Sequence, residues 1–188
     1  MVRVAVFVSG GGTNLQAILD SRGSVITSAE IALVVSSSEK AYALERAAKA
    51  GVPAIVAKKE ADLEAALAEY NIDFIVLAGY MKILSGEFTA KWDKRIINVH
   101  PALIPSFCGK GMYGLHVHEA ALAYGVKVSG ATVHFVNEIP DGGQIIFQKA
   151  VDVLPGDTPE TLQRRIMEQA EWILLPKAIE YVAKELNK

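Results

Sequence analysis

The sequence predicts an α/β domain whose core is one open, mostly parallel sheet of about seven strands. Short apolar runs alternate with helical repeats along most of the 188 residues, which is the pattern of strand–helix–strand units. Several runs are apolar at every position, as strands covered on both faces require. The last two strands are joined by a turn, so we expect an antiparallel hairpin there.

Length and composition indicate a single domain over residues 1–188. The chain is 51% hydrophobic and carries a net charge of −2, which gives no electrostatic reason to bind nucleic acid or an anionic membrane. Its one cysteine, Cys108, excludes an internal disulfide framework and favours a reducing compartment. The N-terminal apolar run ends in glycines, as a strand does and a signal peptide does not. No segment is long enough to span a bilayer, so we expect a cytoplasmic protein.

The first strand, Val2 to Val8, is followed by a glycine loop, Ser9 to Asn14, and then by a helix. Such a loop presents backbone N–H groups at a helix N-terminus, where a phosphate binds well. It is not a P-loop, because no Gly-Lys-Ser/Thr ends it, and Leu15 replaces the last glycine of a dinucleotide fingerprint. The second strand, Ile31 to Val35, ends in serines and not in the acidic residue that holds an adenosine ribose. A single phosphate is the better hypothesis, and a tight turn without a ligand is the alternative.

The next elements continue the alternation of helix and strand. The periodicity predicts helices over 41–50, 60–70 and 87–92 and strands over 53–57 and 73–78, with Gly51 ending the first of these helices and 53–57 at a sheet edge. The apolar residues of 79–84 follow a strand end. They either line a pocket for a flat ring or belong to the core.

The fifth strand carries the first candidates for chemistry. It begins at Ile96 and is stopped by two prolines. Asn98 and His100 are two residues apart, so an extended backbone directs both side chains to one face. An amide beside an imidazole is suited to polarising a carbonyl and stabilising an oxyanion. The alternative is a polar strand end that hydrogen-bonds to nearby backbone. We also predict a cis peptide bond between Ile104 and Pro105.

The remainder predicts a loop over 106–114 (a lid or a connector), a helix over 116–124, strands over 126–137 and 144–153, and a final helix. His118-Glu119 begins like a zinc-protease helix, but Leu122 stands where the second histidine is needed. Asp141 precedes two glycines in the hairpin turn, where a plain turn former is also expected. Thr158 and Pro159 begin the final helix, and its predicted buried stripe is Leu162, Ile166, Ala170, Ile173 and Leu174. Pro176 predicts a kink near Trp172, and Glu168 and Glu171 lie one turn apart, most simply on a solvated surface.

Taken together, four segments in this order resemble the glycinamide ribonucleotide formyltransferases, a family of the formyltetrahydrofolate-dependent formyltransferase superfamily. The segments are Ser9–Gln16, Leu77–Leu84, Asn98–Pro105 and Asp141–Gly143. The resemblance covers nearly the whole chain. The Asn-x-His pair with a distant Asp is common to the superfamily, whereas the glycine loop points to a phosphorylated substrate and hence to this family.

The resemblance implies a Rossmann-like fold, 10-formyltetrahydrofolate as the formyl donor, glycinamide ribonucleotide as the acceptor in purine biosynthesis, and no metal. It implies that Asn98, His100 and Asp141 are catalytic. The implied substrate-binding residues are Gly11, Gly12, Thr13, Asn14, Glu171 and Glu168, the last standing where the family usually has glutamine. The implied folate-binding residues are Met81, Lys82, Ile83, Leu84, Val136, Asn137, Ile139 and Asp141, with Lys82 in place of the usual arginine.

Three other functions are weighed against this one. A formyltetrahydrofolate hydrolase needs no phosphate loop and usually carries an extra N-terminal domain. A methionyl-tRNA formyltransferase needs a basic C-terminal domain, and a nucleotide-sensing module has no use for an amide, an imidazole and a carboxylate together. The preferred function requires Asp141 to lie within one hydrogen bond or one bridging water of His100. The sequence leaves open whether the protein is a monomer or a homodimer.

Overall fold

A computed structural model describes all 188 residues. The strands are β1 (Val2–Val8), β2 (Ala29–Ser36), β3 (Ala54–Val56), β4 (Phe74–Leu77), β5 (Ile96–His100), β6 (Val128–Phe135) and β7 (Ile145–Asp152). The helices are α1 (Thr13–Asp20), α2 (Ala43–Lys49), α3 (Glu60–Glu69), α4 (Gly86–Lys91), α5 (Leu115–Tyr124), α6 (Pro159–Ile166) and α7 (Trp172–Leu186), with a π-helical turn (Met167–Glu171) between the last two. None of the helices is both long enough and apolar enough to cross a membrane.

The strands form one sheet in the order β3-β2-β1-β4-β5-β6-β7, which confirms the predicted fold class. Pairing is parallel from β3 to β5 and antiparallel from β5 through β6 to β7. The antiparallel region is therefore larger than the predicted hairpin, because β5 also pairs antiparallel with β6. The short strand β3 lies at the edge, as expected.

Helices cover both faces of the sheet, and the alternation within β1 shows why its Val4–Val8 run is wholly apolar. Val4 and Val6 point into a core shared with α1, α2, α6 and α7, whereas Ala5 and Phe7 point into a second core shared with α3 and α4. A parallel strand buried on both sides has no polar face to show. The strand ends β1, β4 and β5 are adjacent, so the loops that follow them meet at one edge of the sheet.

The final helical segment differs from the prediction in its phase. Thr158 caps α6 with Pro159 at its first position, as expected. The irregularity expected near Trp172 is a π-helical turn that ends at Glu171. A π turn inserts about one extra residue and so shifts the buried stripe by one position. Ile173 is therefore 37% exposed, which makes its predicted place in the core wrong, while Leu174 and Leu175 are buried.

The loop after β5 contains a cis peptide bond between Ile104 and Pro105, which confirms that prediction. His118 on α5 is completely buried, whereas His116 is exposed and contacts Glu119, so the two histidines do point apart. No group of three or more His, Cys, Asp or Glu side chains is arranged to hold a metal ion.

Candidate active site

The structure brings Asn98, His100 and Asp141 together at the carboxyl end of β5. Asp141 Oδ2 lies 3.6 Å from His100 Nδ1, which meets the distance that the sequence required. Asp141 reaches this position because the turn after β6 folds back closely on the strand. A Cβ on Gly143 would lie only 1.7 Å from the Phe135 carbonyl oxygen, so the turn depends on glycine there. Asp141 itself has a φ of 57°, a conformation uncommon for a non-glycine residue.

A second imidazole, His134, belongs to the same group and was missed by the sequence analysis. It faces Asn98 across the β5–β6 ladder. His134 Nδ1–H donates to the Phe135 carbonyl at 2.7 Å, so Nε2 accepts from Asn98 Nδ2 at 3.2 Å. Asp141 Oδ1 lies 3.7 Å from the same Nε2. The sequence signal for His134 was its place in the alternation of β6, but only the antiparallel register with β5 shows that this position pairs with Asn98.

His100 is almost completely buried, and its hydrogen bonds define its tautomer. Nε2–H donates to the Phe107 carbonyl at 2.8 Å, since a carbonyl can only accept. Burial lowers the pKa of His100 below its ordinary value, and this outweighs the opposite effects of Asp141 and the Phe107 carbonyl. Burial thus favours the neutral ring, in which the lone pair of Nδ1 faces the Asp141 carboxylate.

Asp141 is held as a carboxylate. Burial alone raises its pKa, but the contact with His134, the hydrogen bond from the Gly109 N–H and the nearby His100 imidazole lower it below its ordinary value. The Gly109 N–H donates to Asp141 Oδ2 at 2.8 Å. The loop over 106–114 thus contacts both His100, through Phe107, and Asp141, through Gly109. These contacts make it part of the site and not merely a connector.

A cavity of about 140 Å³ adjoins this group. It is lined by Asn98, His134 and Asp141 and by six of the predicted folate-binding residues besides Asp141, namely Lys82, Ile83, Leu84, Val136, Asn137 and Ile139. Met81 does not line this cavity. Its N–H donates to Ser9 Oγ at 2.8 Å, which places it against the glycine loop. Lys82 Nζ donates to the Lys58 carbonyl, so its ammonium is already held by the backbone.

The glycine loop lies beside these residues because β1, β4 and β5 are neighbours in the sheet. Parallel strands are spaced about 4.8 Å apart, so the ends of β1 and β5 are separated by about 10 Å. The backbone N–H groups of Gly11, Gly12, Thr13 and Asn14 donate to no acceptor in the protein. Consecutive N–H donors of this kind form an anion-binding concavity.

Glu171 lies below the glycine loop and is buried. Asn14 Nδ2 donates to its Oε2 at 2.7 Å, and the Asn14 Oδ1 atom is buried without a protein partner. Burial raises the pKa of Glu171 to about 7, although the Asn14 hydrogen bond acts in the opposite direction. Glu168 is on the exposed side of the same segment and pairs with Arg164 at 3.2 Å. The structure brings Glu171 to the glycine loop and leaves Glu168 at the surface.

Comparisons with known proteins show which family the chain is similar to. A family model described as formyl transferase matches residues 2–179. The chain is 44% identical over 191 residues to the trifunctional purine biosynthetic protein adenosine-3 of Gallus gallus, covering 97% of this chain and 18% of that protein, so it spans about a fifth of this relative. It is 40% identical to the phosphoribosylglycinamide formyltransferase of Haemophilus influenzae, covering 96% of this chain and 87% of the relative. The crystal structure of glycinamide ribonucleotide transformylase 1 from Symbiobacterium toebii superposes with a TM-score of 0.90 at 43% identity, covering 98% of this chain and 89% of that one.

Proposed function

Because the chain belongs to the formyl transferase family and, within it, to the phosphoribosylglycinamide formyltransferases, we propose that it transfers the formyl group of 10-formyltetrahydrofolate to the amine of glycinamide ribonucleotide. The products are formylglycinamide ribonucleotide and tetrahydrofolate. The observation that carries this proposal is the contact of one carboxylate, Asp141, with two imidazoles and thereby with Asn98, beside a loop of unpaired backbone N–H groups.

The two substrates would bind in two neighbouring regions, the glycine loop after β1 and the cavity beside Asn98. The phosphate of the ribonucleotide would bind the N–H groups of Gly11, Gly12, Thr13 and Asn14, where amide dipoles favour an anion. Glu171 would contact the ribose hydroxyls and the glycinamide end. The pterin of the folate would enter the cavity between the 82–84 segment and the 136–141 turn, whose lining includes apolar side chains as well as Asn98 and Asp141.

The amine then attacks the formyl carbon, and the carbonyl oxygen becomes an oxyanion. Asn98 is oriented by His134, which accepts one of its N–H groups and leaves the other without a protein acceptor. That N–H would donate to the oxyanion. A preorganised donor of this kind typically contributes about 3 kcal/mol to transition-state stability.

His100 would supply the second donor. In this structure its Nε2–H is taken by the Phe107 carbonyl, so the loop over 106–114 has to give way for that nitrogen to reach the formyl oxygen. His100 would take up a second proton from solvent on Nδ1, and the Asp141 carboxylate that faces Nδ1 favours this imidazolium. The proton lost by the attacking amine passes to Asp141 directly or through one water molecule. The tetrahedral intermediate would then collapse: the bond between the formyl carbon and N10 of the folate breaks, and N10 takes the proton from Asp141 and leaves as tetrahydrofolate.

The test is to incubate the protein with glycinamide ribonucleotide and 10-formyltetrahydrofolate and to quantify both products. We expect formylated ribonucleotide and tetrahydrofolate in equal amounts, with no folate turnover when the ribonucleotide is omitted. Tetrahydrofolate released without an amine acceptor would identify a hydrolase instead. Absence of both products, in a protein that binds both substrates, would remove the proposal.

A further inference from the structure

Two consecutive carbonyl groups of the glycine loop accept hydrogen bonds from α2. The Ala43 N–H donates to the Gly10 oxygen at 3.1 Å, and Arg46 Nε donates to the Gly11 oxygen at 2.8 Å. In a planar trans peptide the C=O of one residue and the N–H of the next point in opposite directions. The N–H groups of Gly11 and Gly12 are therefore directed away from α2, towards the side on which the protein offers them no acceptor.

The loop also packs directly on α2. Gly12 has a φ of 71°, and a Cβ at this position would lie 2.7 Å from the Ala43 Cβ and 3.3 Å from the Arg46 Cδ. The contact leaves no room for a side chain, so the path of the loop follows the surface that α2 presents. The aim of the amide groups is consequently a property of α2 as well as of the loop.

Arg46 is itself held from several sides. Its Nη1 donates to Gln16 Oε1 at 2.9 Å, and Gln16 Nε2 donates to Asp20 Oδ1 at 2.8 Å, which fixes the orientation of that amide. The guanidinium lies 5.0 Å from the centre of the Tyr42 ring, within the range of a cation–π contact. Nε and Nη1 are thus both engaged with the segment that binds the anion.

We propose that Arg46 is a positioning residue for phosphate recognition: it holds the Gly11 carbonyl so that the Gly12 N–H points at the phosphate group of the substrate. This proposal rests on the proposed function for the identity of the phosphate. Arg46 acts through the peptide that it orients, and removing it lets the Gly11–Gly12 peptide turn. The positive charge of the guanidinium adds a favourable field but is not the main contribution.

The kinetic test compares glycinamide ribonucleotide with glycinamide riboside, which lacks the phosphate. For Arg46→Ala we expect the KM for the ribonucleotide to rise about 10-fold to 100-fold, the size expected for losing a charge-assisted hydrogen bond that holds a binding group. The kcat/KM for the riboside and the KM for the folate should change less than about twofold, since neither depends on that peptide. Arg46→Lys, which retains one charged donor, should restore part of the affinity.

Arg22 provides a matched control, because its guanidinium also donates to backbone carbonyls, those of Leu19 and Ala50. These contacts lie at the C-terminal end of α1, away from the glycine loop at its N-terminus. Arg22→Ala should leave the KM for the ribonucleotide unchanged. Equal losses for riboside and ribonucleotide in Arg46→Ala would indicate general damage to the fold and would overturn the proposal.

A second measurement does not depend on catalysis. Inorganic phosphate is titrated into 15N-labelled protein, and residual dipolar couplings report the direction of the Gly12 N–H bond before phosphate is added. In Arg46→Ala we expect that bond to turn and phosphate affinity to fall at least about tenfold. If the bond keeps its direction while phosphate binding weakens, the charge alone acts and the positioning role is refuted. If the wild type does not transfer the formyl group but Arg46→Ala still turns the Gly12 N–H bond and weakens phosphate binding, the proposed function is wrong and the role of Arg46 stands.

Discussion

Replacing Asp141 by Asn tests the central charge of the site with little change in shape. Asn Oδ1 can still accept the N–H of Gly109, so the contact with the 106–114 loop is retained. Asn also tolerates the φ of 57° at this position at least as well as Asp does. The substitution therefore removes the negative charge beside His100 without a new cavity or backbone strain.

The size of the effect follows from the geometry. Asp141 Oδ2 lies 3.6 Å from His100 Nδ1 in a buried site. At an effective dielectric constant of about 20, opposite charges at this separation attract with ~4–5 kcal/mol. If the imidazolium forms in the transition state, losing this attraction slows the reaction by about 10³-fold, since each 1.36 kcal/mol corresponds to a factor of ten. The pKa of His100, already lowered by burial, would fall further because Asp141 opposes that effect.

The assay is single-turnover formyl transfer at saturating concentrations of both substrates, with binding measured separately by calorimetry. We expect Asp141→Asn to lose about three orders of magnitude in rate while both affinities stay within about threefold. The exposed Asp93, at the end of α4, gives a matched control, and Asp93→Asn should retain the full rate. A rate for Asp141→Asn within tenfold of the wild type would refute the role of this carboxylate.

Three further predictions concern stability and are read by urea denaturation. Gly12→Ala should destabilise the fold by about 1–3 kcal/mol or more, because the φ of Gly12 is 71° and the added Cβ would lie 2.7 Å from the Cβ of Ala43. Gly10→Ala is the control, since a Cβ there meets nothing within 4 Å. Equal losses of stability in the two variants would contradict backbone strain and crowding at Gly12. Burial lowers the pKa of His118 to about 4, so below the unfolded value of about 6.5 only the unfolded chain gains the proton and the wild type should lose ~3 kcal/mol by pH 4. His118→Leu should not lose stability over this pH range, and curves of stability against pH that run parallel for the wild type and the variant would contradict the assignment to His118. Burial alone raises the pKa of Glu180, but four hydrogen bonds to its carboxylate lower it to about 2. The ionised carboxylate therefore stabilises the fold by ~3 kcal/mol above pH ~4.5, and this contribution disappears as the pH falls towards 2. Glu180→Gln should flatten the dependence of stability on pH between about 4.5 and 2, and an unchanged dependence there would exclude a stabilising role for this carboxylate.

The residues that the sequence placed correctly are those whose signal is local. The apolar Val4–Val8 run of β1, the glycine loop after it and the N-cap at Thr158 each depend on neighbours within a few positions, and the structure has them where predicted. Asn98 and His100 share a strand, so their common face followed from the period of two. Which residues of α7 face the core could not be predicted locally, because the π turn before it, which rotates the buried stripe, has no clear pattern in the sequence. Ile173 was placed in the core for that reason, although it is exposed.

The sequence by itself determined the fold class, the order of the elements and the three segments that carry polar groups to one edge of the sheet. Only the tertiary structure decided which groups meet there: that His134 joins Asn98, that the 106–114 loop contacts both His100 and Asp141, and that α2 directs the glycine loop. The physical reason is that backbone conformation depends on nearby residues, whereas contacts between distant segments depend on the register and crossing of strands. Those are set when the whole core is packed.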